Sequence, residues 1–218
     1  MSIQLGTLSF TNTDGQAALL APPVAAALET MPNKDVVGVS EIDPTLSDTA
    51  AFCGKYAAGP ELAANCVIVQ GKTGEERKMA AVVLLATTRA DVNNKVRELL
   101  AVKKISFAPM EEAVVQTQME FGAITPIGLP AHWPIFIDSR VAQSEYVIIG
   151  AGLRKSKLAV PGSFLGTLPN ASVIEKTLES FGIAAKVVEV NLGPAVTQYA
   201  MEIALGTKLS KITSLSND

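Results

Sequence analysis

The chain has 218 residues, of which 48% are hydrophobic and 18% charged; this is enough apolar surface for a packed core and excludes a disordered polypeptide. Its net charge of −3 excludes a protein that coats nucleic acid through a general positive field, so any nucleic-acid contact must be focal. Cys53 and Cys66 are too far apart for a Cys-x-x-Cys redox or metal motif and sit among apolar neighbours, so they read as free thiols in a reducing cytoplasm. The apolar stretch Ala17–Leu28 is broken by Pro22-Pro23 and lacks a preceding basic run, so neither a signal peptide nor a membrane span is expected.

In chain order, Pro23–Thr30 reads as a short alanine-rich helix closed by Pro32, and Val36–Ile42 alternates as a first strand ended by Asp43-Pro44. Ser47 or Asp48 caps a helix over Thr49–Tyr56, and Cys66–Gln70 pairs with Lys78–Ala86 across the Gly71-to-Gly74 turn. Thr88 or Asp91 opens a helix in which Val92, Val96, Leu99 and Leu100 form one apolar face. Lys104–Phe107 is a short strand, Pro109 begins a helix running to about Met119, and Phe121 leads into a loop, Gly122-Ala-Ile-Thr-Pro-Ile-Gly128. Ile135–Asp138, Tyr146–Ile149 and Lys157–Val160 are further strands. Strands and helices interleave irregularly around a hairpin, which predicts an α+β fold with a mixed sheet rather than a doubly wound parallel one.

After Pro169 the character changes. Ser172-Val-Ile-Glu175 is a capping-box pattern, followed by an apolar stripe at Val173, Ile174, Leu178 and Phe181 and then by Gly182, which predicts a helix of about ten residues. Lys186–Val190 and Val196–Leu205 then alternate as two strands around Gly193-Pro194. Unpaired edges of these strands would favour self-association.

Glycines at 122, 128, 150 and 152 let a small ligand approach main-chain groups closely, and Pro126 stiffens the first loop. His132 is the only histidine, so a multi-histidine zinc site is excluded and any Ser-His-Asp triad would have to pass through this residue. It reads as a rim residue, and Trp133 as packing against that rim or stacking on a terminal adenine. Neither a metal nor a cofactor is expected. Glu41 and Asp43 alternate to opposite faces of a strand end, which argues against a paired acid and base.

From about Val36 to Glu175, Glu41-Ile-Asp-Pro44, Ala64-Asn-Cys-Val67, Thr87-Thr-Arg-Ala-Asp-Val92, Lys103-Lys104, the Gly122–Gly128 loop and Gly150–Lys157 resemble the YbaK family. This is an aminoacyl-tRNA editing domain, also found inserted in some prolyl-tRNA synthetases. The resemblance implies a mostly antiparallel sheet or barrel flanked by helices over residues 1–172. It also implies hydrolysis in trans of the ester in mischarged tRNA, with an aminoacyl-tRNA synthetase as a further candidate partner. By that resemblance Gly122, Ala123, Pro126 and Gly128 form the catalytic loop, Thr125, Ile127, Gly150 and Gly152 wall the substrate pocket, and Lys103, Lys104, Arg154, Lys155 and Lys157 contact tRNA phosphates. Backbone N–H groups of Gly122, Ala123 and Gly128 would supply the oxyanion donors. Asn65 is a departure: it stands where active relatives carry a lysine, and it cannot supply the charge of an ammonium. Weak activity and a gain on Asn65→Lys are therefore expected, with a noncatalytic tRNA-binding or aminoacyl-binding module as the alternative.

From about Val173 onward, Ser180-Phe-Gly-Ile, Lys186-Val-Val-Glu-Val190, Gly193-Pro-Ala-Val-Thr197 and Lys208-Leu-Ser-Lys-Ile-Thr213 resemble the segment preceding the motor of FtsK/SpoIIIE DNA translocases. No Gly-x-x-x-x-Gly-Lys-[Ser/Thr] loop occurs, so ATP hydrolysis is not expected. Residues 173–218 therefore read as a motorless fragment, dispensable for the pocket on truncation after about Ala171, with a translocase-associated interaction role as a further alternative.

Overall fold

Alternation of apolar side chains organises the molecule into strands. The computed structural model describes residues 2–88, 92–174, 185–192 and 197–203. The chain enters as a hairpin, β1 (Ser2–Leu5) and β2 (Leu8–Asn12), passes through α1 (Pro22–Thr30) and returns as β3 (Gly38–Glu41). Helix α2 (Thr49–Tyr56) precedes the long hairpin of β4 (Ala64–Thr73) and β5 (Glu76–Leu85). A π-type turn over Val92–Val96 runs into α3 (Arg97–Leu99), then β6 (Lys104–Phe107), α4 (Met110–Thr117), β7 (Ile135–Asp138) and α5 (Ser139–Gln143). Next come β8 (Val147–Gly150), β9 (Ser156–Val160), α6 (Gly162–Leu165) and β10 (Ala171–Ile174). The last described strands, β11 (Ala185–Leu192) and β12 (Thr197–Ile203), form an antiparallel hairpin.

Two five-stranded sheets result, ordered β1-β2-β3-β9-β8 and β10-β7-β5-β4-β6. The first is antiparallel throughout; in the second, β7 runs parallel to both β5 and β10. They meet where Ala63 bridges Ile148, with the Ile148 N–H donating to the Leu62 carbonyl at 2.7 Å. The expected α+β fold with a curled, mostly antiparallel sheet flanked by helices is the one observed.

Period-two alternation explains why β5 reads as a continuous apolar run. Ala81, Val83 and Leu85 join the main core with Val39, Leu158, Val160, Ile149, Ile137 and α1 residues Val24 and Leu28. Ala80, Val82 and Leu84 face the other way, against Val92, Val96, Leu100 and Ile174. The strand is buried on both faces, so neither set can be polar. Helix α2 covers the outer side of the first sheet, where Phe52 packs with Phe10, Ile42 and Ala159. Its cap is Asp48, whose carboxylate accepts from the Ala50 and Ala51 N–H groups at 3.0 and 3.3 Å. That resolves the choice between Ser47 and Asp48 as a normal N-cap.

Two sequence expectations are corrected and one element is new. The helix expected to open at Ser172 is instead strand β10, because Ser172-Val173-Ile174 pair parallel to Phe136–Asp138 and bury Ile174 in the core; β-branched side chains suit that half-buried surface, and tertiary pairing overrides the capping-box pattern. The rest of that expected helix, 175–184, lies outside the described residues. The first strand is shorter than expected, since Lys34–Val36 form a 3-10 turn. The opening hairpin β1–β2 was not read from the sequence at all.

The chain divides into compact units of residues 1–178 and 179–218, and β10 crosses the expected boundary between 172 and 173. Truncation after Ala171 would therefore cut a strand. A chain ending at Leu178 is predicted to melt cooperatively, whereas one ending at Asn170 should melt well below it; Ile174→Ala in the full chain should cost about 2–5 kcal/mol. Circular-dichroism melts of the three proteins check both statements.

Candidate functional site at the junction of the two sheets

The site begins with a close approach of two backbone segments. Gly150 ends β8 against the glycine loop so tightly that a Cβ there would strike the Ala123 carbonyl. The Gly152 N–H donates to that carbonyl at 2.9 Å, the Glu120 N–H donates to the Gly152 carbonyl at 2.8 Å, and the Arg154 N–H donates to the Glu120 carboxylate at 2.6 Å. Arg154 fastens the far side of the loop, donating through Nη1 to the Phe121 carbonyl and through Nη2 to the Pro44 carbonyl at 3.4 and 3.1 Å.

Beside this seam lies a cavity of about 360 Å³. Its walls come from both sheets: Ala64 to Ile68 of β4, Gly150 of β8 and Lys157 of β9, with Ser47, Asp48 and Thr49 from the start of α2, Ala113 of α4 and Gly122 of the loop. Gly122 adopts φ +81°, a left-handed conformation that disfavours other residues. Phe107, Met110 and Phe121 also line it and stay more than half exposed, which makes an apolar rim.

Of the sequence candidates, Asn65, Gly122, Gly150 and Lys157 are brought to this cavity. The remainder stand elsewhere. Ala123 is buried and its N–H is engaged with the Glu120 carbonyl at 3.0 Å. Gly128 packs on the Pro23 backbone, Gly152 packs on Ala21, and Thr125 and Ile127 are wholly buried. Pro126 is buried beside them. Lys103 and Lys104 are exposed at the end of β6 remote from Phe107, about 10 Å along the strand from the rim. Lys155 is exposed and Arg154 serves the loop.

Lys157 differs most from its expected surface role. Its ammonium donates to the Ser47 carbonyl at 3.2 Å and sits 5.2 Å from the centre of the Phe52 ring. Burial holds its pKa below the usual lysine range, and the Arg154 charge pushes the same way, while Cys53 and Asp48 oppose the shift. Asn65 faces the α2 start, with the Thr49 hydroxyl donating to its Oδ1 at 2.9 Å. Burial pushes the Cys66 thiol up to about 12, so it stays protonated near neutrality and is a poor nucleophile.

His132 does not line the cavity; it stands edge-on to Trp133, which is fully buried, so Trp133 serves packing and not adenine stacking. Among the described residues no group of three or more His, Cys, Asp or Glu side chains could hold a metal ion. Sequence reading missed Ser47 and the rim residues Phe107, Met110 and Phe121. Their only early signal was proximity to a helix cap or to the glycine loop.

Comparison with known proteins places this geometry in context. Residues 43–165 match the family model for the aminoacyl-tRNA editing domain, and residues 167–218 match that for the FtsK alpha domain. The crystal structure of a proposed trans-editing enzyme for prolyl tRNA synthetase aligns with a TM-score of 0.61 at 19% identity, over 73% of this chain and 96% of that one. A hypothetical protein of known structure aligns with a TM-score of 0.54 at 21% identity, over 61% and 85% of the two chains. At such identities the likeness concerns the fold. DNA translocase FtsK of Listeria monocytogenes is 55% identical over 49 residues, and DNA translocase SpoIIIE of Bacillus subtilis is 53% identical over 49 residues. Each match covers 22% of this chain and only 6% of the translocase. With its model matching more than half of the sequence, across the strands and the loop that build the cavity, the chain belongs to the aminoacyl-tRNA editing domain family.

Proposed function

We propose that the protein is a deacylase that hydrolyses, in trans, the ester joining a wrongly attached amino acid to its tRNA in the cytoplasm. The observation that carries this reading is the convergence of Gly122, Gly150, Asn65 and Lys157 on one cavity within an editing-family fold. Its volume of about 360 Å³ suits a small ligand group, here the aminoacyl moiety, while the rim of Phe107, Met110 and Phe121 offers apolar surface to the terminal nucleoside. In the reaction, water attacks the ester carbonyl, the tetrahedral oxyanion is held by donors, and collapse releases the amino acid and the ribose hydroxyl. Cys66 lines the cavity, but its raised pKa keeps it a protonated thiol, and His132 does not line the cavity. Exposed Lys103, Lys104 and Lys155 remain available for tRNA phosphates.

A second reading concerns residues 167–218 alone. Their match to the FtsK alpha domain supports docking of this segment to a translocase or to a second copy of itself, and it does not compete with the cavity's chemistry.

A panel of mischarged tRNAs, scored for release of free amino acid, is predicted to contain at least one substrate that the protein clears. Gly122→Val should abolish that turnover in a folded protein, because the side chain would meet the Arg154 guanidinium and the Ser47 hydroxyl at 3.3 and 3.9 Å and occupy the ligand's place; full turnover would remove the loop from the site. Iodoacetamide at neutral pH is predicted to leave turnover intact, since the raised pKa of Cys66 keeps its thiolate scarce below about pH 10. Rapid inactivation with alkylation mapped to Cys66 would instead support a thiolate mechanism.

A further inference from the structure

The cavity contains a charge and a vacant donor that the family resemblance did not supply. The Ser47 side chain is buried, only 3% of the residue being exposed, and its hydroxyl has no hydrogen-bond partner among the described residues. It lines the cavity opposite Gly122. A buried hydroxyl without a partner carries a desolvation penalty, and such an atom in a cavity wall is suited to an incoming acceptor. The Ser47 carbonyl meanwhile receives Lys157 Nζ, so ammonium and hydroxyl belong to one local cluster. An ammonium has three donors, and the carbonyl takes one. Asn65 brings only the neutral amide donors of its Nδ2, its Oδ1 accepting from the Thr49 hydroxyl, so it lacks the charge that an ammonium places on an oxyanion.

We propose that the Lys157 ammonium and the Ser47 hydroxyl are the donor pair that receives the carbonyl oxygen of the aminoacyl ester, with β9 supplying the cation that Asn65 of β4 lacks. This rests on the hydrolytic reading above. As water adds to the carbonyl carbon, the C=O π pair moves onto that oxygen, where the two donors hold it. When the pair returns, the bond to the ribose oxygen breaks, and the proton lost by the attacking water goes to that leaving oxygen. The pocket thus keeps an ammonium while changing the strand that delivers it. The gain expected of Asn65→Lys in the native background is accordingly transferred to a background without Lys157, since a second ammonium beside the first would be repelled.

The test uses the full chain and the mischarged tRNA it cleaves fastest. Lys157→Met, which keeps an unbranched apolar stem, should lower kcat on the order of 10²–10³-fold with little change in KM, and Ser47→Ala should lower it by a smaller factor. Adding Asn65→Lys to Lys157→Met should restore part of the loss, an outcome that a purely structural role for Lys157 does not produce. The native kcat should fall as pH rises through the lowered Lys157 pKa, because the cation is lost. Asp48 and Cys53 on the facing helix and Arg154 on the adjoining turn set that pKa, and Lys157→Arg should move the fall to higher pH because a guanidinium stays protonated. Native kcat and pH dependence in a folded Lys157→Met protein would overturn the proposal. If Lys157→Met does not fold, Ser47→Ala and the pH profile of Lys157→Arg decide in its place. If the native protein cleaves nothing in the panel, the hydrolytic reading fails by itself, and the donor pair is judged by binding of a stable 3′-aminoacylamido-adenosine. At least tenfold weaker binding in Lys157→Met or Ser47→Ala upholds the pair; unchanged binding in both overturns it.

Discussion

The contact between the Gly150 backbone and the Ala123 carbonyl is the constraint on which the pocket depends. It lets the loop between α4 and β7 lie directly on the end of β8, and the hydrogen bonds of Gly152, Glu120 and Arg154 then hold it there. Without that approach Gly122 would have no fixed relation to β4 or β9, which contribute the polar side chains. The Ala63–Ile148 bridge performs the matching task for the sheets, bringing the start of β4 beside β8. The cavity exists where these two seams meet.

Its electrostatics follow from this enclosure. The chain is acidic overall, yet the wall of the cavity presents an ammonium whose solvation has been partly replaced by a carbonyl and an aromatic face. A charge in such a setting interacts more strongly with a developing oxyanion than the same charge on the surface. The exposed Lys103 and Lys104 lack this environment, and solvent screens their charges. Two lysine populations thus follow from burial alone, although nothing in their local sequence distinguishes them.

The C-terminal family match is a separate matter. Residues 167–218 carry a match to a domain of DNA translocases, and 185–192 pair with 197–203 in a hairpin of their own. The two family matches adjoin near residue 166, whereas the editing sheet continues to Ile174. The start of the translocase-like match is therefore used as an edge strand of the editing sheet. A segment boundary in sequence similarity and a boundary in packing need not coincide, because an edge strand is completed by whatever chain reaches it.

The sequence by itself determined most of the alternating strands, the helix over Thr49–Tyr56, the glycine loop and the absence of a charge at Asn65, because these depend on local periodicity, caps and residue chemistry; which of Ser47 and Asp48 caps that helix was decided by the structure. Local patterns misled at Ser172–Ile174, where a capping box lies on residues that β7 recruits as a strand. They were also silent on the β1–β2 hairpin, and they offered Ser47 only as a helix cap, whereas its unpartnered hydroxyl in the cavity wall is defined by what surrounds it. Lys157 shows the division most clearly. Its neighbours in the chain suggest a basic surface cluster, but Lys155 lies in the exposed turn before β9, whereas the fold brings Phe52 and the Ser47 carbonyl over Lys157 within the strand. Only the tertiary structure could decide that, since the groups that desolvate and orient this ammonium lie about a hundred residues away along the chain.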